Sequence, residues 1–217
     1  MRALFAVALL AAALPIAANA APLRHAPAAH APEPEAQLTA DERVELVTEA
    51  GRIVLSLDGV HAPATTRNFL RYVMQHRFDG IIFYRAMHLP WGDPPNGLIQ
   101  AGVRGDPKRL LPPIAHEPTD ATGIHHKAGA ISMARFAPGT ATGDFSILLS
   151  DLDGLDADPK ASDADARAGY AAFGHVVEGM DVARRIFDSP IDPAAGEGPL
   201  KGQMLARPVK ILSARRL

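Results

Sequence analysis

Cysteine is absent from the 217 residues. The chain therefore has no lipobox cysteine to carry a lipid and no disulfide to brace it, even in an oxidising compartment. Its fold must rest on an apolar core, and the length suffices for one. An excess of charge of either sign is also lacking: 22 Lys and Arg stand against 24 Asp and Glu, a formal net of -2. With no basic patch interleaved with aromatics, neither nucleic acid nor an anionic membrane surface is an expected partner. Other chemistries lack their motifs. The absence of G-x-S-x-G and of a catalytic cysteine leaves acyl transfer without support. H-E-x-x-H is missing, and His116, His125 and His126 read as surface-loop residues, so no metal is expected. The acidic run at 151–158 does not follow D-x-[DN]-x-[DN]-G and reads as a solvated loop. No cofactor is implied, and no internal repeat is visible.

Long hydrophobic runs are limited to the first twenty residues. Met1 and Arg2 give a positive start, residues 3–18 are almost entirely apolar and broken by Pro15, and Ala18-Asn19-Ala20 is a small-x-small site. This reads as a secretory signal peptide, residues 1–20, cleaved near Ala20. A membrane anchor is the competing reading, but the run is short for a span and a polar, Pro-rich segment follows at once. Residues 21–43 read as an Ala/Pro-rich disordered linker, with His25 and His30 too few for a metal tract. Residues 44–217 form the expected domain, with no membrane anchor after cleavage and a periplasmic location.

Hydrophobic residues at 47% and charged residues at 21% suit a globular domain. Val44 and Leu46, then Ile53, Leu55 and Leu57, alternate around Glu49-Ala50-Gly51 and predict a β-hairpin. Residues 64–76 predict a helix with Phe69, Leu70 and Val73 on one face. Strands are predicted at 81–84, 98–100, 130–134, 145–149, 172–177 and 209–214, and a second helix at 180–187. Residues 89–113 are a long Pro- and Gly-rich segment, of a kind that is usually functional. Short strands with only two helices predict a mainly β fold, a closed or nearly closed antiparallel barrel with helices over its ends.

Six or more motifs then occur in one order. They are Ala62-Pro63-Ala64-Thr65-Thr66-Arg67-Asn68-Phe69-Leu70; Phe78-Asp79-Gly80 with Phe83-Tyr84-Arg85; Leu98-Ile99-Gln100-Ala101-Gly102; Gly129-Ala130-Ile131-Ser132-Met133-Ala134-Arg135; Phe145-Ser146-Ile147; Leu155-Asp156; and Tyr170 through Gly174-His175-Val176-Val177-Glu178-Gly179-Met180-Asp181. This series resembles the cyclophilin-type peptidyl-prolyl cis/trans isomerases over roughly residues 44–217. The resemblance implies an eight-stranded closed antiparallel β-barrel capped by two α-helices. It also implies a monomer acting on proline-containing unfolded or flexible polypeptides without a cofactor.

An X-Pro amide has cis and trans forms close in energy, separated by the barrier of amide resonance. Catalysis needs only that the twisted amide be bound better than either planar form. By resemblance, Arg85 is the catalytic donor to the prolyl nitrogen, and Gln100 binds the substrate backbone. Leu98, Ala134, Leu155 and Tyr170 match positions at the proline pocket and its rim, and Arg135 one whose backbone pairs with substrate. Asp144, Phe145 and Ser146, in the strand usually written Q-F-F-I, are likewise expected to bind substrate. Four departures bear on activity. Gly97 stands where an aromatic is usual, Ser146 replaces the aromatic of the pocket floor, and Asp144 replaces glutamine close to where Arg85 is expected. Gly154 replaces a tryptophan near Leu155, while Trp91 sits upstream in the long loop as a candidate aromatic wall. The departures keep two alternatives open: a weakened cyclophilin-like peptide-binding or chaperone module, and a structural protein that uses residues 89–113 for a partner.

Overall fold

A hairpin opens the folded unit of the computed structural model, which describes residues 37–217. The expected signal peptide and most of the expected linker, residues 1–36, lie outside the described residues. β1 (Glu42–Thr48) and β2 (Gly51–Leu57) pair antiparallel with Thr48 opposite Gly51. The Thr48 hydroxyl closes the turn, donating to Gly51 O at 2.7 Å and accepting from Ala50 N at 3.0 Å. β1 starts two residues before the expected Val44. Glu42, though charged, is buried there because Thr39 and Arg216 satisfy its carboxylate.

α1 (Pro63–Met74) carries proline in its first turn and no acidic residue of its own. Glu117, remote in sequence, supplies the negative charge instead, accepting from Ala64 N at 3.0 Å and Thr65 N at 2.8 Å. β3 (Ile82–His88), β4 (Gly97–Gly102), α2 (Thr119–Thr122), β5 (Ala130–Met133), β6 (Phe145–Leu148), α3 (Ala164–Ala168), β7 (Ala171–Glu178), α4 (Met180–Phe187), β8 (Ile191–Asp192) and β9 (Met204–Arg216) follow. The expected helices are α1 and α4. α2 and α3, of four and five residues, are too short to show a helical period in sequence.

The strand order β1-β2-β7-β5-β6-β4-β3-β9 closes on itself through β1–β9 pairing, making an antiparallel barrel of eight strands. β8 pairs with β9 outside the ring. Phe69 from α1 reaches into the barrel interior, with ring centroids 4.9 Å from Phe78, 5.1 Å from Phe145 and 5.5 Å from Phe173. All four are fully buried, each worth about 1.5–3 kcal/mol by removal from water. α4 buries Val182, Ala183, Ile186 and Phe187 against β2, β3 and β4. The Pro- and Gly-rich segment 89–113 is not one loop. β4 divides it, and all six residues of that strand are buried.

Candidate functional site

Phe83 and Ala86 on β3 both belong to the barrel core. Strict alternation would put Phe83 and Arg85 on one face. A register shift between Phe83 and Arg85 leaves Tyr84 without a partner on β4 and turns Arg85 to the outer face, opposite Gln100. Gln100 itself lies between the core residues Ile99 and Ala101 and so faces outward. The row continues across the sheet: Gln100 stands opposite Ser146, Ser146 opposite Ser132, and Ser132 opposite Ala172.

Arg85 is half-buried and held on two sides. Its Nη1 donates to Gln100 Oε1 at 2.8 Å, while Nε and Nη2 donate to Gln203 Oε1 at 2.9 and 2.7 Å. Nη2 also meets the Met87 sulfur at 3.4 Å. Burial lowers the Arg85 pKa, and the nearby Tyr84 and Tyr170 act in the opposite sense. Guanidinium remains charged regardless. Because these acceptors are neutral, the positive charge stays available to a ligand on the outer face.

Asp144 does not reach Arg85. It accepts from the Tyr84 hydroxyl at 3.1 Å and from Arg104 N at 3.2 Å, and burial raises its pKa. The Arg104 guanidinium lies 5.0 Å over the Tyr84 ring, so the displaced Tyr84 gathers Asp144 and Arg104 away from the outer row. Phe145 is also misplaced by the sequence reading. It points into the barrel against Phe69, Phe78 and Phe83, as alternation requires once its neighbour Ser146 faces out. Ser146 therefore sits in the row beside Gln100, where the resemblance expects the pocket floor.

Ala134 N donates to Asp144 O at 2.9 Å at the end of β5. The Arg135 side chain is not solvated. It is 1% exposed, with its guanidinium 4.6 Å over the Tyr170 ring and Nη2 donating to Gly169 O at 2.6 Å. Tyr170 N donates to Leu155 O at 2.8 Å, which ties this rim to the apolar wall. Leu98 and Leu155 do come together, in an outer cluster with Leu148, Leu152, Met87 and Leu89.

A cleft of about 300 Å³ opens over that cluster, lined by Met87, Leu89, Trp91, Leu152, Gly154 and Leu155 among others. Trp91 is 57% exposed there. An aromatic from the 89–96 loop thus stands beside Gly154, where the resemblance expects a tryptophan. A second cleft of about 470 Å³, lined by Tyr84, Arg104, Glu197, Leu200 and Met204 among others, also touches β3.

Three participants escaped the sequence reading. Gln203 lies in an irregular stretch before β9 and carries no motif. Met87 follows Arg85 by two residues, and alternation alone could have placed it on the same face. His126 was read as a surface residue, yet it is fully buried, between Asp156 at 2.6 Å and Ser132 at 2.8 Å. Asp156 draws in His125 as well, at 2.7 Å.

Residues 43–216 match the family described as cyclophilin type peptidyl-prolyl cis-trans isomerase/CLD. A peptidyl-prolyl cis-trans isomerase of Acinetobacter baylyi is 33% identical over 184 residues, 83% of this chain and 88% of that protein. Peptidyl-prolyl cis-trans isomerase A of Dickeya dadantii is 33% identical over 186 residues, 84% of this chain and 88% of that protein. Among solved structures, a Cryptosporidium parvum cyclophilin type isomerase in the presence of the dipeptide Ala-Pro superposes with a TM-score of 0.63. It is 19% identical and covers 81% of this chain and 99% of that one.

Proposed function

The chain belongs to the cyclophilin-type peptidyl-prolyl cis-trans isomerases, and on that premise we propose that it turns X-Pro bonds of exported polypeptides through Arg85. The observation that carries the assignment of Arg85 is its setting: a permanent cation, half-buried on the outer face, held by Gln100 and Gln203. Twisting an X-Pro amide breaks resonance and returns a lone pair to the prolyl nitrogen. A fixed N–H donor aimed there stabilises the twisted form and neither planar form. A ten-thousand-fold acceleration needs about 5.5 kcal/mol, within reach of one charge-assisted contact in a partly desolvated groove.

Gln100 donates through its amide nitrogen to the substrate backbone, since its oxygen faces Arg85. The proline ring rests on Leu98 and Leu155, and Trp91 supplies the aromatic side of the wall. The dipeptide Ala-Pro in the Cryptosporidium parvum structure supports a small proline-containing ligand for this groove. The leader-like residues 1–20 support export to the periplasm, where the enzyme acts as a monomer on unfolded or flexible chains and assists their folding.

Two-dimensional NMR exchange on an Ala-Pro peptide tests this. The wild type should speed cis/trans exchange, and Arg85→Ala should lose it by a factor of about 100 or more. Binding without faster exchange would instead favour a peptide-holding module, the reading that the polar Ser146 in the pocket floor suggests.

A further inference from the structure

We propose that Arg135 is a positioning residue for the isomerase site: it clamps Tyr170 as the wall that faces Arg85 across the groove, with the Tyr170 hydroxyl left to serve a carbonyl of the substrate backbone. The proposal rests on the reading of Arg85 given above. Tyr170 directly precedes β7. Ala171, between it and Ala172, belongs to the barrel core, so alternation carries Tyr170 and Ala172 to the outer face. Ala172 stands opposite Ser132 in the row that begins at Arg85, which places Tyr170 beside the far end of that row. The residue is half-buried, and it lies close enough to Arg85 to act on the charge there. Among the described residues its hydroxyl has no hydrogen-bond partner. A half-buried phenol ordinarily finds one, and a peptide carbonyl is an acceptor it can serve.

What holds the ring is a guanidinium that is itself buried. The Arg135 side chain is 1% exposed, and its Cζ stands 4.6 Å over the Tyr170 ring. Around that stack all three nitrogens donate. Nε and Nη2 bond Gly169 O at 3.1 and 2.6 Å, while Nη1 bonds Phe136 O at 2.8 Å and Asp165 Oδ1 at 3.0 Å. Gly169 is the sharp turn behind Tyr170: its φ is +57°, and a Cβ there would lie 2.4 Å from Ala157 N. The peptide between Gly169 and Tyr170 is thus held at both ends, its oxygen by Arg135 and its N–H by Leu155 O at 2.8 Å. Burying a cation is costly unless its donors are satisfied. Here Asp165, itself 68% exposed, brings the opposite charge, and two of the nitrogens converge on the oxygen that sets the Tyr170 backbone. A lysine would keep the charge but lose the planar fork that bonds Gly169 and stacks on the ring at once.

The test is a double-mutant cycle in the full chain, read as the affinity for an Ala-Pro peptide by NMR titration. Tyr170→Phe removes the hydroxyl alone and should weaken binding about tenfold. Arg135→Met releases the ring, so it should shift the Tyr170 ring resonances and weaken binding by a similar factor. In both variants KM for exchange should rise with the loss of affinity while kcat stays near the wild-type value, since the hydroxyl holds planar and twisted forms alike. Because Arg135 acts through Tyr170, the double variant should bind as the single variants do. Losses that multiply to about a hundredfold overturn the proposal, as does either single variant binding like the wild type. Arg135→Lys carries the same cycle should Arg135→Met fail to fold. Coupled losses in a protein whose wild type binds the peptide without speeding its exchange uphold the clamp and overturn the isomerase reading of Arg85.

Discussion

Gln203 grips Arg85 from just before β9, at the end of that strand that pairs with β3: one carbonyl oxygen accepts Nε at 2.9 Å and Nη2 at 2.7 Å. Its backbone oxygen also accepts Ala86 N at 2.9 Å, so the segment before β9 is fixed to β3 by main chain and side chain together. Gln203 Nε2 donates in turn to Pro199 O at 3.0 Å, which sets the amide orientation. Removing the side chain leaves the guanidinium tethered by Gln100 and Met87 alone. A hydrogen bond to a charged group is worth about 1.5–3 kcal/mol, so Gln203→Ala should cut the exchange rate about tenfold or more. The loss should fall on kcat rather than KM, because the apolar wall is untouched. NMR exchange over a range of peptide concentrations separates the two, and an unchanged saturated rate would show that Gln203 does not position Arg85.

Gly97 is not a simple loss of an aromatic wall. Its φ is +154°, and a Cβ there would lie 1.9 Å from Met87 O and 2.8 Å from the Phe187 ring. The pairing of His88 with Gly97 and the packing of α4 leave no room for a side chain. Gly97→Ala should cost about 3 kcal/mol or more, lowering the melting temperature by roughly 10 °C. Thermal unfolding followed by circular dichroism checks this. A variant that melts with the wild type would mean that β3 and β4 separate freely at this point.

Much of the barrel was legible because its strands alternate and its turns carry glycine. Val44, Leu46, Ile53, Leu55 and Leu57 all reached the core that alternation assigned them. The helices that sequence missed are single turns. The site was legible in its motif residues and illegible in what holds them. Arg85 faces outward only because the register slips at Tyr84, and no local pattern announces a shift that depends on β4 and β9. Asp144 looked destined for Arg85 by charge, yet the same slip gives it Tyr84. Gln203 and His126 come from irregular segments, where position is set by tertiary contacts rather than by periodicity. Phe145 and Ser146 show how a one-residue parity decides between core and groove.

Trp91 offers the most direct test of substrate contact. It is 57% exposed and lines the cleft with Met87, Leu89 and Leu155, so the fold does not depend on it. An aromatic wall gained on binding contributes about 1–2 kcal/mol through its buried area and ring contacts. Trp91→Ala should therefore raise KM for Ala-Pro peptides about tenfold, leave kcat near the wild-type value, and leave the melting temperature unchanged. Quenching or shifting of Trp91 fluorescence on peptide addition gives an independent reading, since the chain has a single tryptophan. No spectral response at saturating peptide would place the ligand elsewhere.

His126 also predicts the acid sensitivity of the fold. In the native state burial pushes its pKa below the ordinary imidazole value of 6.5. The unfolded chain keeps the ordinary value, so below it the unfolded state binds more protons, and stability falls as the pH drops through that range. Asp156 acts in the same direction at lower pH. Its carboxyl is held below the usual range by His126 and His125 against the cost of burial. The stability it contributes is present above the ordinary carboxylate range and is lost as the pH falls through the depressed value. The slope from one such proton cannot exceed about 1.4 kcal/mol per pH unit. Urea unfolding between pH 7.5 and 5.5 should therefore show declining stability in the wild type and a shallower decline in His126→Gln. Stability that instead rose on acidification, and did so only with His126 present, would mean that the imidazole is protonated in the native state.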